Sequence, residues 1–225
     1  MSISRGNQAT LGEFCFVIAI CLGIHIASSF SMMFRHSEFT AVHWTDSGMI
    51  NMMIIQLLSL SAAGYVLHCK GWTPREFGIQ FSFSQCGAGL LLFLADYAAF
   101  IALYVVTANI FGLSSELRAP TFTGGFSLTA AILFSAFNAF FEEVVTVGYV
   151  LGGMRHHGRV FAVSLSMFLR FLYHTYQGPL ACVSIMPMGI LFASVYWRWH
   201  RLWPLVIAHF IVDAVFFLHL KASLL

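Results

Sequence analysis

The stretch from residue 127 to residue 152 reads SLTAAILFSAFNAFFEEVVTVGYVLG and carries two adjacent acids, Glu142 and Glu143, inside an apolar run. A helix that crosses a bilayer needs about 20 mainly apolar residues, and this stretch is long enough. An ionised carboxylate in hydrocarbon is costly, so an acid at membrane depth marks a functional site by default. The stretch therefore predicts a transmembrane helix with a polar centre.

The composition of the whole chain is that of a membrane protein. Of its 225 residues, 59% are hydrophobic and 9% are charged, whereas a soluble domain carries about 25% charged residues. Lys and Arg occur in ones and twos, without the clustering that phosphate binding needs. We therefore expect membrane lipids around the chain and no nucleic-acid partner.

Apolar segments of spanning length recur along the chain. They predict an all-α, polytopic transmembrane helical bundle of about seven spans, in a single integral-membrane domain over residues 1–225. We interpret the first segment as a retained span, because it is longer than the apolar region of a signal peptide. The fifth and sixth segments nearly touch, so one could be short, tilted or re-entrant, and an eighth half-span is left open. The predicted spans are 12–34, 48–68, 87–111, 127–152, 159–177, 179–197 and 203–220.

Basic residues are distributed unequally between the two sides of this predicted bundle. The side of the N terminus holds Arg5, Lys70, Arg75, Arg155, Arg159, Arg198 and Arg201, and the opposite side holds Arg35, Arg118 and Lys221. By the positive-inside rule, this asymmetry predicts a cytoplasmic N terminus and a C terminus outside. The short chain and its compact loops favour the inner membrane of a prokaryotic cell.

The two acids cannot face one target equally, since successive helical residues point about 100° apart. Asn138 shares the helical stripe of Glu142, and Val147 shares the stripe of Glu143. We therefore expect one glutamate to act chemically and the other to be held by the structure. Buried ion pairs without catalysis are common, so a purely structural role for both acids is the alternative.

Two later spans carry polar side chains on shared helical faces. Arg170 and His174 lie four residues apart, and Gln177 follows three residues later, so they form one stripe. His209 and Asp213 are also four residues apart, a spacing at which an Asp can fix the tautomer of a His. Acids and histidines together at membrane depth indicate proton-transfer or hydrolytic chemistry.

Three motifs in order carry a resemblance to a known family. They read FEEVVTVGY at residues 141–149, RFLYHTYQG at 170–178 and HFIVD at 209–213. The sequence resembles the CaaX protease and bacteriocin-processing family (CPBP, or Abi) of intramembrane proteases, which includes the type II CaaX prenyl endopeptidases. The family pattern has Glu-Glu-x-x-x-Arg, then a motif ending in His, then His-x-x-x-Asn or His-x-x-x-Asp. The match covers about residues 136–214.

The resemblance implies a metal-independent glutamate-type endopeptidase that needs no cofactor. It would cleave a peptide or protein, which could be lipidated, near the cytoplasmic face of the membrane. Glu142 with His174 would activate a water. His209 would stabilise the oxyanion, and Asp213 would orient the His209 ring. Glu143 completes the catalytic set. The supporting side chains would be Arg170, Asn138, Tyr173 and Gln177.

The chain departs from the family pattern at two positions. Val147 replaces the motif arginine, which would sit one turn from Glu143 and neutralise it. Our hypothesis is that Arg170 supplies this charge from the neighbouring span. Asp213 stands where the prenyl proteases have Asn, and an ionised Asp cannot donate a hydrogen bond to an oxyanion.

Other functions stay open on the sequence alone. A metal-dependent protease would use Glu142, His174, His209 and Asp213 as ligands, although no His-Glu-x-x-His motif is present. In a non-catalytic membrane scaffold or bacteriocin-immunity protein, the polar cluster would stabilise the fold and perform no chemistry. A transporter that uses the acids as a proton relay is a weaker option. We interpret Asp96, a polar residue in the third span, as structural.

Overall fold

Helices make up most of the described chain. The computed structural model describes residues 8–35, 42–110 and 122–224. Arg5 and Arg118, two of the basic residues counted above, lie outside this range. The helices are α1 (Leu11–Arg35), α2 (Asp46–Cys69), α3 (Ser84–Ile110), α4 (Leu128–Glu142), α5 (Val150–Gly153), α6 (Arg159–His174), α7 (Gly178–Trp199) and α8 (Trp203–Ser223). A π-helix, Glu143–Tyr149, joins α4 to α5, and 3₁₀ turns lie at Pro74–Phe77, Arg155–His157 and Thr175–Gln177.

The predicted fold class, an all-α bundle of transmembrane helices, is confirmed. In the part of the chain that the structure describes, five helical segments are long and apolar enough to cross a membrane. They are Leu11–Met32, Asp46–Cys69, Ser84–Thr107, Leu128–Gly153 and Trp203–Ser223. The protein is therefore an integral membrane protein. The exact number of crossings stays a prediction.

Contacts between connecting segments define two ends of the bundle. At the first, the N-terminal end, the Ala9 amide donates to Gly153 O (3.3 Å) and the Leu202 amide donates to Gly78 O (3.1 Å). At the other, the C-terminal end, Lys221 Nζ donates to the carbonyl of Phe126 (2.8 Å). Ala9 and the end of α8 thus lie at opposite ends of the molecule.

A two-stranded parallel sheet at the C-terminal end was not predicted from the sequence. It pairs β1 (Val42–Thr45) with β2 (Phe122–Gly125). Gly124 has a φ of 147°, and a Cβ on it would collide with the carbonyl oxygen of Trp44. The strands are too short for an alternating pattern to reveal them, and their close approach depends on this glycine. Thr45 also caps α2, since its hydroxyl accepts from the Gly48 amide (3.1 Å).

The seven long helices form a closed ring. In order around it, α1, α2, α4, α8, α3, α7 and α6 each pack against the next, and α6 packs against α1. The π-helix that continues α4 also packs against α6 and α7, so this helical segment lies deepest in the bundle. Its buried position brings the two adjacent glutamates towards the faces of α6 and α8 that carry the other predicted site residues.

Candidate active site

The two glutamates straddle the change from α-helix to π-helix. Glu142 is the last residue of α4, and Glu143 is the first residue of the π-helix. Thr146 donates its hydroxyl to Glu142 O (2.7 Å), and Ser166 of α6 donates its hydroxyl to Thr146 O (2.6 Å). The hydroxyl groups of Thr146 and Ser166 thus donate hydrogen bonds to backbone carbonyls at the π-helix. π-Helical turns are rare and frequently occur at functional sites.

Glu143 is completely buried and held by charged partners. Its exposed fraction is 0%, and its Oε1 lies 2.7 Å from Arg170 NH2 and 2.7 Å from His209 Nδ1. Arg170, itself 1% exposed, also donates to the Thr146 hydroxyl (3.0 Å). The guanidinium of α6 therefore lies where the hypothesis about the missing motif arginine requires it. Whether activity depends on this ion pair stays a prediction.

Glu142 lies beside Glu143 but borders a cavity. The Tyr173 hydroxyl donates to its Oε2 (2.7 Å), and Asn138 Nδ2 donates to its Oε1 (3.1 Å). Arg170 NH1 lies 3.5 Å from Oε2, and His174 Nε2 lies 3.7 Å from the same oxygen. The last distance is too long for a direct hydrogen bond, but both atoms border the cavity, so a water on the cavity side can contact both.

His209 lies between two carboxylates, Glu143 at Nδ1 and Asp213 near Nε2. Its Nδ1 makes the 2.7 Å contact to Glu143, while its Nε2 lies 3.6 Å from Asp213 Oδ1. Asp213 instead accepts from Asn138 Nδ2 (3.1 Å). The Asn138 side chain is fixed in turn, because its Oδ1 accepts from Gln56 Nε2 (2.8 Å). One amide thus bridges the carboxylates of α4 and α8.

A cavity of about 690 Å³ lies in front of these side chains, and all seven long helices contribute to its wall. Glu142, Arg170 and His209 border its deep part. Its lining continues past β1 to His219, so the cavity reaches the C-terminal end of the bundle. Glu143 is not part of the lining. The two adjacent acids are therefore separated into one that faces the cavity and one that lies behind it.

The structure brings most of the predicted site residues together. The cluster contains Asn138, Glu142, Glu143, Arg170, Tyr173, His174, His209 and Asp213. Gln177 lies apart from it: this residue borders the same cavity, but its amide donates to the Tyr176 hydroxyl (2.8 Å).

Two further side chains, which are not among the predicted site residues, contribute to the cluster. Gln56 of α2 fixes Asn138, and Thr146 binds Arg170. Thr146 lies four residues after Glu142, so the sequence places it on the stripe of Asn138 and Glu142, but its contact with Arg170 was not predicted. Gln56 offered one signal, a lone amide in an otherwise apolar span.

The described residues also bear on metal binding. Among them, no group of three or more His, Cys, Asp or Glu side chains is arranged to hold a metal ion. Within that part of the chain, the carboxylates of the cluster are partnered by Arg170, Tyr173, Asn138 and His209. The chemistry that these residues can perform by themselves is proton transfer and electrostatic stabilisation.

The fold and the cluster together define a class: an integral membrane protein with a buried, protonatable glutamate–histidine centre beside an internal cavity. The family model described as type II CAAX prenyl endopeptidase Rce1-like matches residues 124–215. The resemblance inferred from the three motifs is thereby confirmed for this part of the chain. The family is one of CAAX-type proteases, which are hydrolases. A comparison with curated proteins and another with solved structures gave no significant match.

Proposed function

We propose that the protein is an intramembrane endopeptidase in which Glu142 is the general base. The observation that supports this most is that Glu142 Oε2 and His174 Nε2 lie 3.7 Å apart at the edge of the cavity. A water on the cavity side of this pair can hydrogen-bond to both groups. Glu142 would take a proton from the water as the oxygen attacks the peptide carbonyl, and would pass that proton to the leaving amine.

His209 is the proposed stabiliser of the tetrahedral oxyanion. With Nδ1 held by Glu143, its Nε2 points towards the deep part of the cavity, 4.0 Å from Glu142 Oε2. An imidazole that donates through both nitrogens carries a positive charge. Glu143 and Asp213 offer carboxylates to pair with that charge, and a donor held in place before the reaction is an effective stabiliser of developing charge.

Cleavage by four variants tests this assignment. We expect Glu142→Gln, His174→Ala and His209→Ala to lose cleavage of a quenched fluorescent peptide library at normal membrane levels. Glu13→Gln is the matched control, because Glu13 lies outside the cavity near the start of α1 and contacts the Tyr149 hydroxyl at 3.4 Å. Cleavage retained by Glu142→Gln would refute the proposal.

The same assay with a strong zinc chelator separates the proposal from a metal-dependent protease. A glutamate protease keeps its activity in the chelator, whereas activity that is lost with chelator and returns with zinc would favour the metal-dependent alternative. Peptides with and without a farnesylated CaaX end belong in the library, because the lipidation of the substrate is itself a prediction. A biological phenotype that survives Glu142→Gln would favour a non-catalytic scaffold.

Two observations bear on the side of the membrane on which cleavage would occur. The cavity reaches the C-terminal end of the bundle, whereas the described basic residues of the loops lie mainly at the N-terminal end. With the cytoplasmic N terminus that the charges predict, the cavity reaches the opposite face, whereas the family resemblance predicts cleavage near the cytoplasmic face. We keep the orientation that the charges favour, and we propose that the substrate enters from the non-cytoplasmic face.

Labelling of single cysteines tests this orientation. Cys69 is exposed at the N-terminal end of the bundle, where α2 ends. We expect a membrane-impermeant maleimide to label Cys69 only after the cells are permeabilised. A His43→Cys variant, in which Cys69 and the other cysteines are replaced, should be labelled in intact cells, since His43 is exposed on β1. The reverse pattern would place the cavity towards the cytoplasm.

A further inference from the structure

Asp96 of α3 is an acid in the wall of the cavity that the proposed chemistry does not use. Its exposed fraction is 6%, and it borders the same cavity as Glu142. Among the described residues, its buried Oδ1 has no hydrogen-bond partner. The wall on either side is aromatic, since Phe93, Tyr97 and Phe100 of the same helix also line the cavity.

An unpartnered carboxyl oxygen in such a wall is unfavourable. Burying a polar group without a hydrogen bond costs free energy, and an acid inside a membrane usually pairs with another group or marks a substrate path. The other cavity acids are satisfied by protein groups: Tyr173 and Asn138 bind Glu142, and Asn138 binds Asp213. Among the described acids of the lining, Asp96 is therefore the one with a buried oxygen that a group from outside the fold can bind.

The charges that face the cavity favour a cation as that partner. Three acids, Asp96, Glu142 and Asp213, border the cavity, and Arg170 is the only Lys or Arg among the described residues of its lining. Arg170 already binds Glu143 at 2.7 Å and Glu142 at 3.5 Å. His209, the other proposed cation of the lining, also binds Glu143 at 2.7 Å, and among the described residues neither it nor Arg170 forms an ion pair with Asp96.

We propose that Asp96 forms a subsite for a basic side chain, lysine or arginine, of the substrate peptide. This inference rests on the proposed endopeptidase function and names the chemical class of its substrate. The ammonium or guanidinium group would reach the carboxylate of Asp96 while the aromatic wall packs along its apolar stem. The scissile bond would then lie across the cavity, near Glu142 and His174.

Paired peptides test the subsite. One peptide of each pair carries Lys at a chosen position near the cleaved bond, and the other carries norleucine, which keeps the apolar stem and lacks the charge. We expect the protein to cleave one Lys peptide with a kcat/KM about tenfold or more above that of its norleucine partner. Asp96→Asn should abolish this preference, mainly through KM, and leave cleavage of the norleucine peptide unchanged.

Two results would overturn the subsite. A preference for Lys that survives Asp96→Asn would remove Asp96 from recognition, and an equal loss on both peptides would assign it a structural role. Binding of fluorescent versions of the same pair to Glu142→Gln separates this test from the proposed function, because it needs no cleavage. If Asp96→Asn in that background does not weaken binding of the Lys peptide, the subsite is refuted even where the protease assignment stands.

Discussion

Removal of the Arg170 charge is the sharpest test of how the buried centre is held. Arg170 and Glu143 are 1% and 0% exposed, and their 2.7 Å contact is an ion pair that joins α6 to the π-helix. Arg170→Leu would leave the Glu143 carboxylate buried without its cation. Breaking a buried pair in this way destabilises a protein by about 3–5 kcal/mol. For a chain of this size, that corresponds to a fall in Tm of roughly 6–20 °C.

Thermal unfolding in detergent, followed by circular dichroism, measures this fall. The double variant Arg170→Leu/Glu143→Gln removes both charges, so we expect it to recover at least half of the lost Tm. A second double variant, Arg170→Leu/Val147→Arg, returns the arginine to its family position and should regain part of the cleavage activity. If Arg170→Leu keeps both the Tm and the activity of the parent protein, or if the second double variant is no better than the single one, the reasoning about this charge fails.

Two further predictions concern the side chains that hold Glu142. Tyr173→Phe removes the hydroxyl that donates to Glu142 at 2.7 Å. A hydrogen bond to a charged group contributes about 1.5–3 kcal/mol, so we expect kcat/KM to fall about 10–100-fold. An unchanged kcat/KM would show that this hydrogen bond does not contribute to catalysis. Asn138→Leu removes the shared donor between the Glu142 and Asp213 carboxylates; we expect lower activity and a lower Tm, with Asn109→Leu, at an exposed site on α3, as the control. A Tm for Asn138→Leu equal to that of the control would argue against the bridging role.

Local features of the sequence were enough to predict the helices and most members of the cluster. The apolar run around Glu142 has the length of a span, and the spacings of His174 after Arg170 and of Asp213 after His209 place each pair on one helical face. Span length and residue spacing are properties of a single helix. They can therefore be predicted without knowing how the helices are arranged.

Features that depend on contacts between distant segments could not be predicted in this way. The π-helix is supported by Ser166 from α6, and His209 is oriented by Glu143 from the span of α4. The pairing of β1 with β2 joins segments about 80 residues apart through the close approach of Gly124 to Trp44. The end at which the cavity opens depends on the packing of all seven long helices, which no single motif contains.

The most direct test of the account compares the two adjacent glutamates in one cleavage assay. The cleavage rate of a peptide substrate is measured in proteoliposomes for the parent protein, Glu142→Gln and Glu143→Gln, together with the Tm of each. A general base contributes about 10²–10⁴-fold, so we predict that Glu142→Gln loses at least about a hundredfold in rate and keeps its Tm. Glu143→Gln should lose Tm and retain measurable cleavage. Rapid cleavage by Glu142→Gln, with activity abolished only in Glu143→Gln, would contradict the assignment of the catalytic glutamate.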